Sequence, residues 1–122
     1  MINGRLKPCP SSPNCVSSFV DPVDKEHFIE PWRVVAGDPA TVWKRLTTII
    51  ATMRRVAIVT QNEEYMHAEV TSLIFRFVDD LECMLDREAG IIHWRSASRI
   101  GHSDLGANRD RIEAIRVELE SG

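Results

Sequence analysis

No run of apolar residues in this sequence approaches the roughly eighteen needed to cross a bilayer, so no membrane span is expected. The opening residues MINGRLKPCPSS lack the apolar stretch of a signal peptide. Residence in the cytoplasm is the default expectation, and export the alternative if a targeting segment was removed. A surplus of positive charge is also missing, with 15 Lys and Arg against 18 Asp and Glu. The deficit lies in the second half: residues 63–122 hold seven basic and thirteen acidic side chains, residues 1–62 eight and five. A polynucleotide binder needs a basic face to displace counterions, so nucleic acid is not an expected partner. Cysteine is scarce, with three residues in 122 and no second short-spaced pair, which argues against a structural zinc site. The chain contains neither a G-x-S-x-G elbow nor a glycine-rich phosphate loop. No cofactor is expected.

What remains is one domain's length of chain with 43% hydrophobic and 27% charged residues, ordinary for a globular protein. Residues 1–25 read as an irregular segment packed on a single domain formed by residues 26–122. Within KPCPSSPNCVSSFVDP, four prolines and four serines break helix and strand alike. Cys9 and Cys15 stand six apart and read as free thiols, as a small disulfide loop or, less readily, as part of a metal site. Cys83 lies in a strand pattern and reads as a buried small hydrophobe.

HFIEPWRVV suggests a first strand, with Pro31 marking an edge or bend. GDPATVWKRLTTIIATMRR predicts a helix: Asp38 suits the N-cap, Pro39 the first turn, and Val42, Trp43, Leu46, Ile49, Ile50 and Met53 make one apolar face. Four strand patterns follow in RVAIVTQ, EYMHAEV, FRFVDDLECMLD and IIHWRSAS, with Gly90 fitted to a hairpin turn. A last helix begins after Ser103 or Asp104, carrying Leu105, Ile112, Ile115 and Leu119 on one stripe. The expected fold is α+β: a five-stranded antiparallel sheet with two helices on one face, in the order β-α-β-β-β-β-α.

Alternation divides the strand residues between faces. If the apolar sets face the helices, His67, Glu69, Arg76, Asp80, Glu82, His93, Arg95 and Arg99 share the other face. That set reads either as solvated cross-strand pairs or as a polar ligand surface. Asp79 breaks the pattern. Parity sends it inward with Ser96 and Ser98, where a lone carboxylate is costly, so it needs partners among Ser96, Ser98, Arg109 and the amides near Ser103.

The densest run of hydrogen-bonding groups is RSASRIGHSDLGANRDR, a strand end, a glycine-containing turn and a helix start. Free amides at such a corner favour an anion. Arg95, Arg99 and Arg109 are the candidates to hold an anionic group, with Ser98, His102 and Asn108 to orient it. Asp104 and Asp110 compete with that role. Arg109 and Arg111 stand on different sides of the helix, so the arginines cannot all converge. His67, His93 and His102 match no named metal spacing.

The blocks CPSSPNCVSS, MHAEVTS, FRFVDDLE and RSASRIGHSDLGANRDRIEAIR resemble those of the bacterial and plastid domain-of-unknown-function family numbered 1499. The resemblance implies that Cys9 and Cys15, His67 and Glu69, Arg76, Asp79 and Asp80, and the segments 95–99 and 103–111 recur as block residues. It implies no activity, because none is established for the family. Members often carry an export or membrane segment ahead of the cysteine block, whereas this chain starts almost at that block.

These readings converge on a non-enzymatic binding domain with an Arg/Ser/His pocket for an anionic small molecule. One alternative is an enzyme using Asp79, Asp80 or Glu69 with His67 or His102 in acid–base chemistry. The other is an interaction module whose sheet face or edge receives a protein partner or a second copy.

Overall fold

A computed structural model gives the fold and describes residues 4–74, 76–101 and 104–121. In chain order the elements are β1 (Cys15–Ser17), β2 (Trp32–Arg33), α1 (Pro39–Ala51), β3 (Val56–Gln61), β4 (Tyr65–Thr71), β5 (Val78–Asp86), β6 (Ile91–Ser98) and α2 (Ala107–Ser121). The strands form one antiparallel sheet in the order β1-β6-β5-β4-β3, with β2 also pairing β6. Both helices bury their stripes against one sheet face. Trp43, Leu46 and Ile50 of α1 and Ile112, Ile115 and Leu119 of α2 meet Met66, Ala68, Leu81, Cys83, Ile92 and Trp94 from the strands. The architecture is α+β and not closed into a barrel.

Local chemistry explains most element boundaries. Asp38 is the extended N-cap residue of α1, with Pro39 at the helix start, although the Asp38 side chain makes no capping bond. The β3–β4 turn is held by Asn62, whose side-chain oxygen accepts from the Glu64 and Tyr65 amides at 2.9 Å each. Gly90 turns β5 into β6 with a left-handed φ of 67°. Asp104 caps α2, accepting from the Gly106 and Asn108 amides at 2.8 and 3.1 Å; Ser103 lies outside the described residues.

Four expectations need correction. The sheet has six strands rather than five, because the segment expected to be irregular contributes β1. Val16 points into the core at 4% exposure, but three residues are too few to show a period. The strand expected over HFIEPWRVV shrinks to Trp32–Arg33; upstream, the Ser17 amide donates to the His27 carbonyl and the Ile29 amide to that of Ser17. In FRFVDDLECMLD the strand begins at Val78. Arg76 takes a left-handed φ of 59° in the preceding turn, and the strand pairing proper starts at Thr71 and Val78; Phe75 is not among the described residues. Leu105 precedes α2 with φ 54° and is 94% exposed, so the buried stripe runs only through Ile112, Ile115 and Leu119.

Beneath the sheet, where α2 starts, the core is polar. Asp79 on β5 points inward as parity requires, and its carboxylate accepts from Arg111 at 2.8 Å. Arg111 also donates to Ser96 and to the Asn108 side-chain oxygen, at 3.0 and 2.8 Å. The Asn108 amide nitrogen reaches the Asn14 carbonyl, the Ser98 hydroxyl and the Asp104 carboxylate at 3.1, 3.0 and 2.7 Å. Asn108 and Ser96 are fully buried. Buried polar groups are tolerated when each finds a partner, and here every side chain in the set does.

Replacing Asn108 with Ala leaves Ser96, Asp104 and the Asn14 carbonyl short of partners in a closed space. The expected loss is about 3 kcal/mol, or a fall of roughly 10 °C or more in the unfolding temperature. Thermal unfolding followed by circular dichroism checks it.

Candidate functional site

The second polar assembly lies on the opposite sheet face. Antiparallel register brings Glu69 opposite Asp80 and His67 opposite Glu82, while β6 places Arg95 opposite Glu82. Arg99, just past the end of β6, folds back over β5. Its Nε and Nη2 donate to the two Asp80 oxygens at 2.8 and 2.9 Å, and Nη2 also donates to Glu69 at 2.6 Å. His67 Nε2 meets the Asp80 carboxylate at 2.7 Å. The four side chains are partly open to water, at 24% for His67, 23% for Asp80, 36% for Glu69 and 45% for Arg99. Arg99 Nη1 and His67 Nδ1 make no hydrogen bond among the described residues.

The electrostatics follow from that geometry. Hydrogen bonds from Arg99 hold the Asp80 carboxyl at about 2, below its ordinary 3.8, against a smaller opposing effect of burial. The same bonds raise the Arg99 guanidinium. Beside the cluster, Tyr65 donates to Glu82 and titrates high because it is buried next to that carboxylate.

The outer face is not open along its whole width. Residues 4–9 cross it over β6, where Leu6 is 3% exposed and the Pro8 carbonyl accepts from Arg95 at 3.4 Å. The structure joins Cys9 to Cys15 of β1 in a disulfide beside this crossing. Arg5 lies over the Phe19 ring, which stacks on His93 at 4.0 Å between centroids. Arg95 is therefore buried, with Glu82 at 3.6 Å and, among the described residues, no hydrogen-bond partner for Nε. Burial lowers its guanidinium.

The residues singled out in the sequence thus separate into distinct places. His67, Glu69, Asp80 and Arg99 come together. Arg95 sits beneath the N-terminal segment, and Arg76 in the β4–β5 turn. Ser98 and Asn108 belong to the inner network with Asp79, and Arg109 donates to the Lys25 and Glu26 carbonyls at 3.2 Å each. His102 lies outside the described residues. Arg95, Arg99 and Arg109 do not converge on one point. Asp79 finds Arg111 rather than Arg109, a partner that the helical pattern announces: counting back from Leu119 and Ile115 through Ile112 reaches Asn108, with Arg111 beside it at i+3. Alternation puts Tyr65 on the face of His67 and Glu69, but no spacing announces its bond to Glu82. Two depressions of about 560 Å³ lie at the opposite end of the sheet, near Trp43 and near Tyr65, and neither touches the Arg99 cluster.

The pH dependence has a definite sign. The folded-state carboxyl of Asp80 is depressed, so its stabilisation is complete above the unfolded value of 3.8 and disappears as pH falls through about 2. An Asp80→Asn variant is expected to lose up to about 2 kcal/mol at neutral pH, and the gap to wild type to close between about pH 4 and about pH 2. Urea unfolding at stepped pH measures that gap.

Residues 5–119 match the family model described as "Protein of unknown function (DUF1499)". No curated protein and no solved structure matches the chain.

Proposed function

The chain belongs to the DUF1499 family, and from that premise we propose that it is a non-enzymatic binding domain whose recognition surface is the Arg99 cluster on the outer sheet face. One observation carries the reading. Arg99 is held by two carboxylates through Nε and Nη2, yet remains 45% exposed with Nη1 uncommitted among the described residues. A guanidinium locked in this way presents its remaining N–H groups in a fixed direction, so little side-chain freedom is lost when an anion docks.

The neighbouring charges narrow the ligand. Asp80 and Glu69 repel a multiply charged anion but accept from hydroxyl or amino groups. The chemistry that fits is one singly charged anionic group, such as a carboxylate, with hydroxyl or amine donors nearby. His67 Nδ1 supplies a further polar contact at the cluster's edge. The inner network, by contrast, is saturated and buried, which suits an architectural role for Asp79, Ser98 and Asn108.

An enzymatic reading draws support from the 2.7 Å His67–Asp80 contact. A carboxylate that orients an imidazole is a common general-base arrangement. That reading requires turnover abolished by His67→Gln while ligand affinity persists.

Thermal unfolding against hydroxy- and amino-carboxylates, phosphorylated metabolites and divalent metals tests the binding proposal. A ligand specific for the folded state adds about 2.7 kcal/mol at a hundredfold excess over Kd. The expected result is stabilisation by the carboxylate class that disappears in Arg99→Ala. Stabilisation that persists in a folded Arg99→Ala, or none across the panel, contradicts it.

A further inference from the structure

The sheet end where β4 turns into β5 carries a group of exposed apolar side chains. Leu73 and Ile74 form the turn and are 65% and 80% exposed. The Arg99 amide donates to the Val78 carbonyl and so brings Ile100, 57% exposed, to the same end. Phe77, at the base of the turn, is 45% exposed. Isolated exposed apolar residues are ordinary, but four gathered at one end of a sheet make a patch.

Cations surround it. Arg54 and Arg55 lead into β3 at this end, and Arg55 shares a shallow depression with Thr71 and Arg76. All three arginines are exposed, and among the described residues none has a carboxylate within ion-pair distance. Nearby acids are already engaged, Glu69 and Asp80 by Arg99 and Asp79 by Arg111. This end is therefore locally basic on a chain whose net charge is −3. Arg55 and Arg76 both hold a left-handed φ of 59°, a conformation that glycine or asparagine adopts at lower cost.

We propose that this end of the sheet docks on an anionic lipid bilayer, with Leu73 and Ile74 entering the acyl region while Arg54, Arg55 and Arg76 meet the headgroups. A few apolar side chains beside a basic patch supply the two signals that reversible membrane attachment needs. A standard protein interface spreads over roughly 800 Å² per side, whereas this patch is one turn and its flank. The proposal is independent of the Arg99 recognition surface.

Vesicle flotation tests it, with phosphatidylcholine alone and mixed with phosphatidylglycerol. The protein is expected to float with the mixed vesicles, to stay behind with the neutral ones, and to be released as salt rises. Ile74→Asp and Arg76→Glu should each weaken flotation by about tenfold or more, with the unfolding temperature unchanged. Absence from mixed vesicles, equal flotation with neutral ones, or indifference to Ile74→Asp overturns it. So does a dimer in sedimentation velocity that Ile74→Asp converts to monomer, which assigns the turn to a second copy.

Discussion

The fold depends on one buried charge finding its partner. Asp79 is carried inward by strand parity, and nothing in β5 can turn it back without inverting Leu81, Cys83 and Leu85 as well. An ionised carboxylate in that position is tolerated only if a cation and further donors meet it. Arg111 supplies the cation, and Ser96 and Asn108 fix the guanidinium in place. Asn108 then reaches Asn14, so the N-terminal segment, β5, β6 and α2 are registered against one another by a single connected set of bonds. The helix cap at Asp104 belongs to the same set.

The two sheet faces handle charge in opposite ways. The inner network is saturated and buried, so it acts on the position of chain segments rather than on solutes. On the outer face the crossing of residues 4–9 buries Arg95 and Glu82 and leaves the His67–Asp80–Arg99–Glu69 cluster in contact with water. That division concentrates the accessible polar chemistry at one end of the sheet. The apolar turn at Leu73 and Ile74 projects from the same end, and its arginines differ from Arg99 in having no acidic partner among the described residues.

Periodicity made much of this legible. Helix α1, the four successive hairpin strands β3 to β6, the core stripe of α2 and the inward direction of Asp79 all follow from spacing, as does the sharing of one face by His67, Glu69, Asp80 and Arg99. The losses have local causes. β1 is three residues long, and Arg76 and Leu105 adopt left-handed backbone that no apolar pattern announces. The covering of Arg95 depends on a loop path across the sheet, which sequence spacing does not specify. Counting arginines over residues 95–111 suggested one site, whereas strand parity and helical phase distribute them over both faces of the sheet and two sides of α2.

A double-mutant cycle on Asp79 and Arg111 tests the central claim most directly. If the pair anchors the fold, Asp79→Ala and Arg111→Ala each cost about 3 kcal/mol or more, because each strands the other's charge in a buried site. The double variant should then cost well below the sum, with a coupling of about 2 kcal/mol. Single losses that add to within about 0.5 kcal/mol would contradict the account, showing that the two groups act independently and that the registration of β5, β6 and α2 lies elsewhere.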